Sequence, residues 1–170
     1  EKNSFISVTI GPGTVTDIDG NIYQTLEIGN QEWMTENLKV THYSNGDTIP
    51  NVTNYNQWDT LTTGAYCWFN HNITWKDAYG ALYNWYAVVD SRGLCPAGWH
   101  SPTDAEWTIL TNYLGGENEA GGKMKSTRKE PDAPPRWLLP NAGATNKSAF
   151  SVLPGGERPN SGVYNEFGSY

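Results

Sequence analysis

The sequence predicts an α+β domain: two helices packed on short antiparallel strands, joined by long irregular loops. Three stretches carry that expectation. Residues 103–116 hold both a helix start and a helix stop, residues 14–31 hold a hairpin turn, and residues 65–70 read Ala-Tyr-Cys-Trp-Phe-Asn, a short aromatic strand.

The helix is the strongest of the three. Thr103 is placed to cap the free N–H groups of a first turn while Glu106, three residues on, reaches back to it. Asp104 and Glu106 also suit the positive end of the helix dipole. Apolar residues recur at Trp107, Leu110 and Leu114, one helical face, before Gly115-Gly116 ends the run in a conformation glycine takes cheaply. A preceding helix is expected where Thr74 and Asp77 form a capping pair and Ala78, Leu82, Trp85 and Val89 form a stripe.

The remaining elements follow in order. Val15, Ile18, Ile22, Tyr23, Leu26 and Ile28 surround Asp17-Ile18-Asp19-Gly20-Asn21, and Asp-Gly is a strong hairpin turn. Asp17, Asp19 and Asn21 alternate as calcium-loop oxygens do, but the twelfth position of such a loop is Ile28 rather than glutamate, so they read as turn residues. Residues 31–40 begin as a strand. Residues 42–63 are poor in apolar side chains and read as a long surface loop. Within it, Asn54-Tyr55-Asn56-Gln57-Trp58-Asp59 has two readings: an aromatic face with amides and a carboxylate for a sugar ring, or Trp58 pinning the loop to the body. In the strand at 65–70, Tyr66 and Trp68 share one face and Cys67 and Phe69 the other. Residues 121–140 are expected to be irregular, running through Pro131, Pro134 and Pro135 to Trp137. Residues 141–153 return in loop and strand, and 154–170 are Gly-rich, with exposed-looking Asn160, Tyr164 and Asn165.

Bulk properties bound the function. A chain of 170 residues fits one domain with a sizeable core. Aromatics make up 13% of it, with eight Trp and ten Tyr, against 17% charged residues. Polarity carried by neutral groups suits extracellular β-rich proteins and saccharide binders, and a large aromatic core has the same composition. The net charge is −7, and the one basic run, Lys123 to Lys129, is interrupted and followed by Glu130-Pro131-Asp132, which argues against nucleic acid. No apolar stretch approaches the roughly 20 residues of a membrane-spanning helix. No signal peptide is visible, so an exported protein would begin here after cleavage. Residues 1–14 read as a leader or linker. Cys67 and Cys95 leave a disulfide undecided.

No cofactor or metal is expected. His42, His71 and His100 stand alone, without the paired spacing of a metal site. There is no Gly-x-Ser-x-Gly elbow, and neither cysteine has a sequence neighbour that would lower its pKa. Glu106, Glu117, Glu157 and Asp104 read as caps or solvated groups, although sequence does not give the separation of paired carboxylates. Gly115-Gly116, Gly121-Gly122 and Gly155-Gly156 read as turns.

Several words together resemble a known family. Trp33-Met34-Thr35-Glu36-Asn37-Leu38, Gly80-Ala81-Leu82-Tyr83-Asn84-Trp85-Tyr86-Ala87-Val88, Cys95-Pro96-Ala97-Gly98-Trp99-His100, Asn141-Ala142-Gly143-Ala144-Thr145-Asn146 and Leu153-Pro154-Gly155-Gly156 resemble the Fibrobacter succinogenes major paralogous domain, over residues 15–170. The resemblance implies a C-type-lectin-like fold related to formylglycine-generating enzymes, found in secreted and surface proteins of Bacteroidetes and Fibrobacteres. It brings no established activity. Relatives continue past the position of Tyr170 through further strands, so the expectation is a domain incomplete at its C-terminal side, with a shortened chain as the alternative. The His–His–Glu set of iron-dependent relatives is lacking here. The calcium-dependent sugar words Glu-Pro-Asn and Trp-Asn-Asp are lacking too, and Glu157-Arg158-Pro159-Asn160 is a loose echo of the first.

The expectation is therefore a non-catalytic, extracellular or outer-membrane-surface domain that binds a glycan or a surface protein. Its candidate contacts are Trp58, Tyr66, Trp68, Trp137 and Tyr164. An exported passenger of the type IX pathway, held by an outer-membrane translocon or carrier, is the alternative, and a formylglycine-generating-enzyme-like oxidase the third. Asp47-Thr48-Ile49 and Asp59-Thr60-Leu61 resemble Bacteroidetes O-glycosylation acceptors, which makes Thr48 and Thr60 candidate modified residues.

Overall fold

A computed structural model describes residues 13–165 and 167–169 of the chain. Most of the expected leader, residues 1–12, lies outside the described residues. The fold is α+β, with helices and short antiparallel strands in open sheets.

Strands β1 (Gly13–Thr16), β2 (Ile22–Ile28) and β3 (Gln31–Met34) form an antiparallel sheet in sequence order. Its first turn is held by Asp17. One carboxylate oxygen accepts the Asp19 and Asn21 N–H groups at 3.0 and 2.9 Å, and the other accepts the Asn21 amide at 2.8 Å and the buried Tyr23 hydroxyl at 2.6 Å. Gly20, at φ 80°, supplies the left-handed residue of that turn. The oxygens that resemble calcium ligands in sequence are thus committed to the turn itself.

Helix α4 (Asp104–Tyr113) has the expected capping box, and Gly115 and Gly116 follow it at φ 102° and 90°. It packs on the three-stranded sheet through Ile28, Trp33, Leu110, Leu114 and Phe150. Its partner is not the helix expected upstream. That partner is α5 (Glu117–Met124), in a stretch where the glycine pair predicts a turn. Gly122 is there for packing: a Cβ on it would stand 2.4 Å from the Gly143 carbonyl oxygen, and Gly122 itself accepts the Thr145 N–H at 2.8 Å. The Lys123 ammonium, in the last turn of α5, donates to the Leu114 carbonyl at 2.7 Å, joining that turn to the C-terminal end of α4.

The upstream helix is broken into pieces. Two 3₁₀ turns, Phe69–His71 and Ile73–Trp75, lead into α2 (Lys76–Tyr79); then come β5 (Leu82–Tyr83) and α3 (Trp85–Val88). The break is at Gly80, at φ 71°, where any Cβ would meet Asn37 at 2.6 Å and the Leu38 carbonyl oxygen at 2.7 Å. Leu82 instead pairs with Cys67, extending β4 (Tyr66–Cys67) into a second small sheet. The apolar stripe is a coincidence of spacing: Trp85 is 71% exposed and Val89 52%.

Residues 42–63 are irregular and mostly exposed, as expected, but four side chains anchor the segment to the body. Tyr43, Ile49, Val52 and Trp58 are buried. Their backbone stays satisfied by pairing with the second sheet, with Val52 N–H donating to Tyr66 O at 3.0 Å and Tyr66 N–H to Pro50 O at 2.9 Å. The segment ends in a single helical turn, α1 (Tyr55–Asp59), capped by the Asn54 side chain.

Candidate functional site

The aromatic residues singled out in the sequence fall mostly inside the molecule. Tyr66 and Trp68 do share a face, but that face is the buried cluster of Val40, Tyr43, Ile49 and Leu94. Trp137 is buried, its indole N–H donating to the Val152 carbonyl at 3.0 Å, with the Lys125 ammonium 3.9 Å from its ring centre. Trp58 is covered by the guanidinium of Arg158, 4.3 Å from the ring centre, so of its two readings the structure adopts the pin. Arg158 is itself buried. It donates to the carbonyls of Val52, Thr53 and Gly162, which makes it a clamp across the two segments.

Tyr164 lines a groove of about 450 Å³, together with Tyr55, Asn70, His71, Gly162 and Val163. Its hydroxyl and His71 Nδ1 lie 2.8 Å apart. Burial, and then the nearby Arg158 charge, lower the His71 pKa. Thr48 and Thr60 are both exposed, and the Thr60 hydroxyl donates to the Asn56 and Gln57 carbonyls at 3.3 and 3.2 Å. Cys67 is buried and Cys95 half-buried, each a free thiol.

A cavity of about 590 Å³ lies elsewhere, between the end of β3 and the entry to α4. That volume falls in the range of small-molecule sites. Trp33 forms part of its wall, packed at 4.8 Å between ring centres against Trp107, which is 39% exposed; Phe150 stands 5.7 Å from Trp33. Trp99 and the exposed His100 face it from the loop before the helix, and Glu32, Glu36 and Asn37 from the strand side. Gln31 fastens the two sides together, its amide donating to the Glu106 carbonyl at 3.2 Å. A neighbouring cavity of about 290 Å³ shares Cys95, Gly98, Trp99, His100 and Ser101 with the first, so this loop has open space on both flanks.

Glu106 carries the electrostatics of the entry. One carboxylate oxygen accepts the Thr103 N–H at 2.8 Å and the Thr103 hydroxyl at 2.7 Å; the other lies 2.8 Å from His100 Nε2. The Thr103 backbone bond first, then its hydroxyl and His100, hold the carboxyl at a pKa of about 2. It is a fixed negative charge near neutral pH. Burial pushes the Cys95 thiol up, with the Ser101 hydroxyl partly offsetting it. Two polar atoms of the wall, Trp33 Nε1 and Gln31 Oε1, are buried with no hydrogen-bond partner among the described residues. Among the described residues there is also no group of three or more His, Cys, Asp or Glu placed to hold a metal ion.

Sequence reasoning missed this site because each residue has a local explanation. Trp107 reads as the core stripe, Glu106 as a cap and His100 as structural. The available signal was the density of Trp99, His100, Glu106 and Trp107 within nine positions, although the strand that faces them lies some 70 residues earlier.

The words carrying the resemblance also meet in space. Trp33 to Leu38 and Cys95 to His100 border the large cavity. Asn37 donates to the Tyr79 carbonyl at 2.9 Å, beside Gly80 and Gly155. The amide of Asn141 donates to Ser126 O at 3.1 Å, and the amide of Asn146 to the Ser151 hydroxyl at 2.8 Å. No curated protein and no solved structure matches the chain. The family model of the Fibrobacter succinogenes major domain matches residues 26–170, and the chain belongs to that family.

Proposed function

We propose that the chain is a non-catalytic saccharide-binding domain of a secreted or cell-surface protein, with the cavity between β3 and α4 as its site. The observation that carries this reading is the composition of the cavity wall. Half-open indoles at Trp99 and Trp107 stand beside carboxylates and amides, so a sugar ring has an apolar face to stack on and acceptors and donors for its hydroxyls. The lectin-like architecture and extracellular location implied by the family resemblance support the same reading. Proton-transfer chemistry is poorly served there: Glu106 has both oxygens engaged and stays ionised, and the Cys95 thiol is held protonated.

The test is calorimetric titration with a panel of neutral oligosaccharides. Binding weakened at least tenfold by Trp107→Ala, with a fall of only a few degrees in the melting temperature and none of the effect on binding from Tyr164→Phe in the other groove, is the expected result. Binding that survives Trp107→Ala and Trp99→Ala would move the site elsewhere. A protein contact, as for a passenger held by an outer-membrane carrier, is a second reading; it is favoured by Trp85 and Val89, which stand 71% and 52% exposed around α3.

A further inference from the structure

The wall of the cavity specifies more than a sugar ring. Among the described residues three carboxylates line it, Glu32, Glu36 and Glu106, and no lysine or arginine does. His100 is the one basic side chain of the wall, and it is already turned to Glu106. The charges on the strand side are only half engaged. Glu32 accepts the Thr25 hydroxyl through Oε1 at 2.6 Å, and Glu36 accepts the Gln24 N–H through Oε2 at 2.7 Å, which leaves one oxygen of each without a side-chain or backbone donor among these bonds.

Resting on the saccharide reading of this cavity, we propose that its preferred ligand is a saccharide bearing a free amine, an amino sugar in its ammonium form, rather than a neutral or acidic one. A ring stacked on Trp107 or Trp99 holds its substituents toward the walls, and an ammonium group there meets ionised oxygens. A carboxylate or sulfate on the same ring meets the same oxygens with the opposite sign, and nothing in the wall compensates it. Charge of one sign lining a cleft also raises the local concentration of the opposite ion, so the preference is expected in the association rate and in its salt dependence.

The experiment compares three tetrasaccharides of equal length on the whole chain: fully deacetylated glucosamine, its N-acetylated form and galacturonic acid. Titrations are run near neutral pH at low and high salt, with Glu36→Gln and Glu32→Gln alongside. The expected result is glucosamine binding at least tenfold tighter than the N-acetylated form, galacturonate weakest, and the gap closing in high salt. Each Gln variant is expected to cut the glucosamine preference about threefold while leaving N-acetylglucosamine binding unchanged. Equal binding of the amine and its acetylated form, or a preference for galacturonate, overturns the charge inference and leaves the saccharide reading standing. Binding of none of the three, with the melting temperature unmoved at millimolar ligand, overturns both. A lysine tetrapeptide that binds as tightly as tetraglucosamine also overturns the inference, since the site would then read charge without a sugar.

Discussion

Trp58 and Trp107 look alike in sequence, each a tryptophan next to a carboxylate, yet one is 6% exposed and the other 39%. The difference lies in what arrives from far along the chain. Over Trp58 the arriving group is the guanidinium of Arg158, which covers the ring and joins the backbone of Val52, Thr53 and Gly162. At Trp107 no cation arrives among the described residues; Trp33 and Phe150 cover its inner side, and a cavity stays in front of the rest. The company an aromatic keeps locally therefore does not decide whether it packs or binds.

The largest expected effect is at the closed ring. Trp58→Ala should cost about 4 kcal/mol, because a buried indole leaves a cavity that the surrounding Val52, Ala65 and Cys67 only partly fill. Chemical denaturation at fixed pH measures it, and a loss below about 1 kcal/mol would place Trp58 among surface residues. Next comes Arg158→Met, expected to lower stability by about 3 kcal/mol, since three carbonyls lose a donor and the ring loses its cation. In a domain of this size that is roughly a 10 °C fall in melting temperature. Trp107→Ala should cost only about 1–2 kcal/mol, in keeping with its partial burial, and should still remove ligand binding. If the two tryptophan variants prove equally destabilising, the contrast between the regions is lost.

The smallest effect is a pH dependence at Glu106. Its carboxyl titrates near 2 in the folded chain against an ordinary 4.5, so its contribution to stability is complete above the ordinary value and lost as pH falls toward 2. The advantage of the native chain over Glu106→Gln should therefore be constant from pH 7 to about pH 5 and shrink below it. An advantage that stays unchanged down to about pH 2.5 would show that the Thr103 and His100 bonds to this carboxylate are not what stabilises the helix entry.

What could be read from sequence was what closes within a few residues. The Asp19-Gly20 turn, the Thr103–Glu106 box and the Gly115-Gly116 stop each carry their cause in their own segment. The failures are all long-range. Gly121-Gly122 belongs to a helix because the Gly143 carbonyl passes over it, and the stripe at Leu82 and Trp85 is no helix because Gly80 must clear Asn37 and Leu38. Residues 42–63 stay mostly exposed, yet four widely spaced anchors, Tyr43, Ile49, Val52 and Trp58, pin them to the body. The large cavity was hidden for the same reason, its two walls lying about 70 positions apart.

The Arg158 clamp also orders events during synthesis. Its bond to Val52 spans 106 positions, so Trp58 and the carbonyls beside it have no cover until the distant guanidinium has left the ribosome. At about 5–20 residues per second that interval is roughly 5–20 s, during which the three-stranded sheet, built from neighbours in sequence, has time to form. The nascent chain thus passes through a stage in which the sheet can pair while the face of Trp58 that Arg158 covers is still open to chaperones.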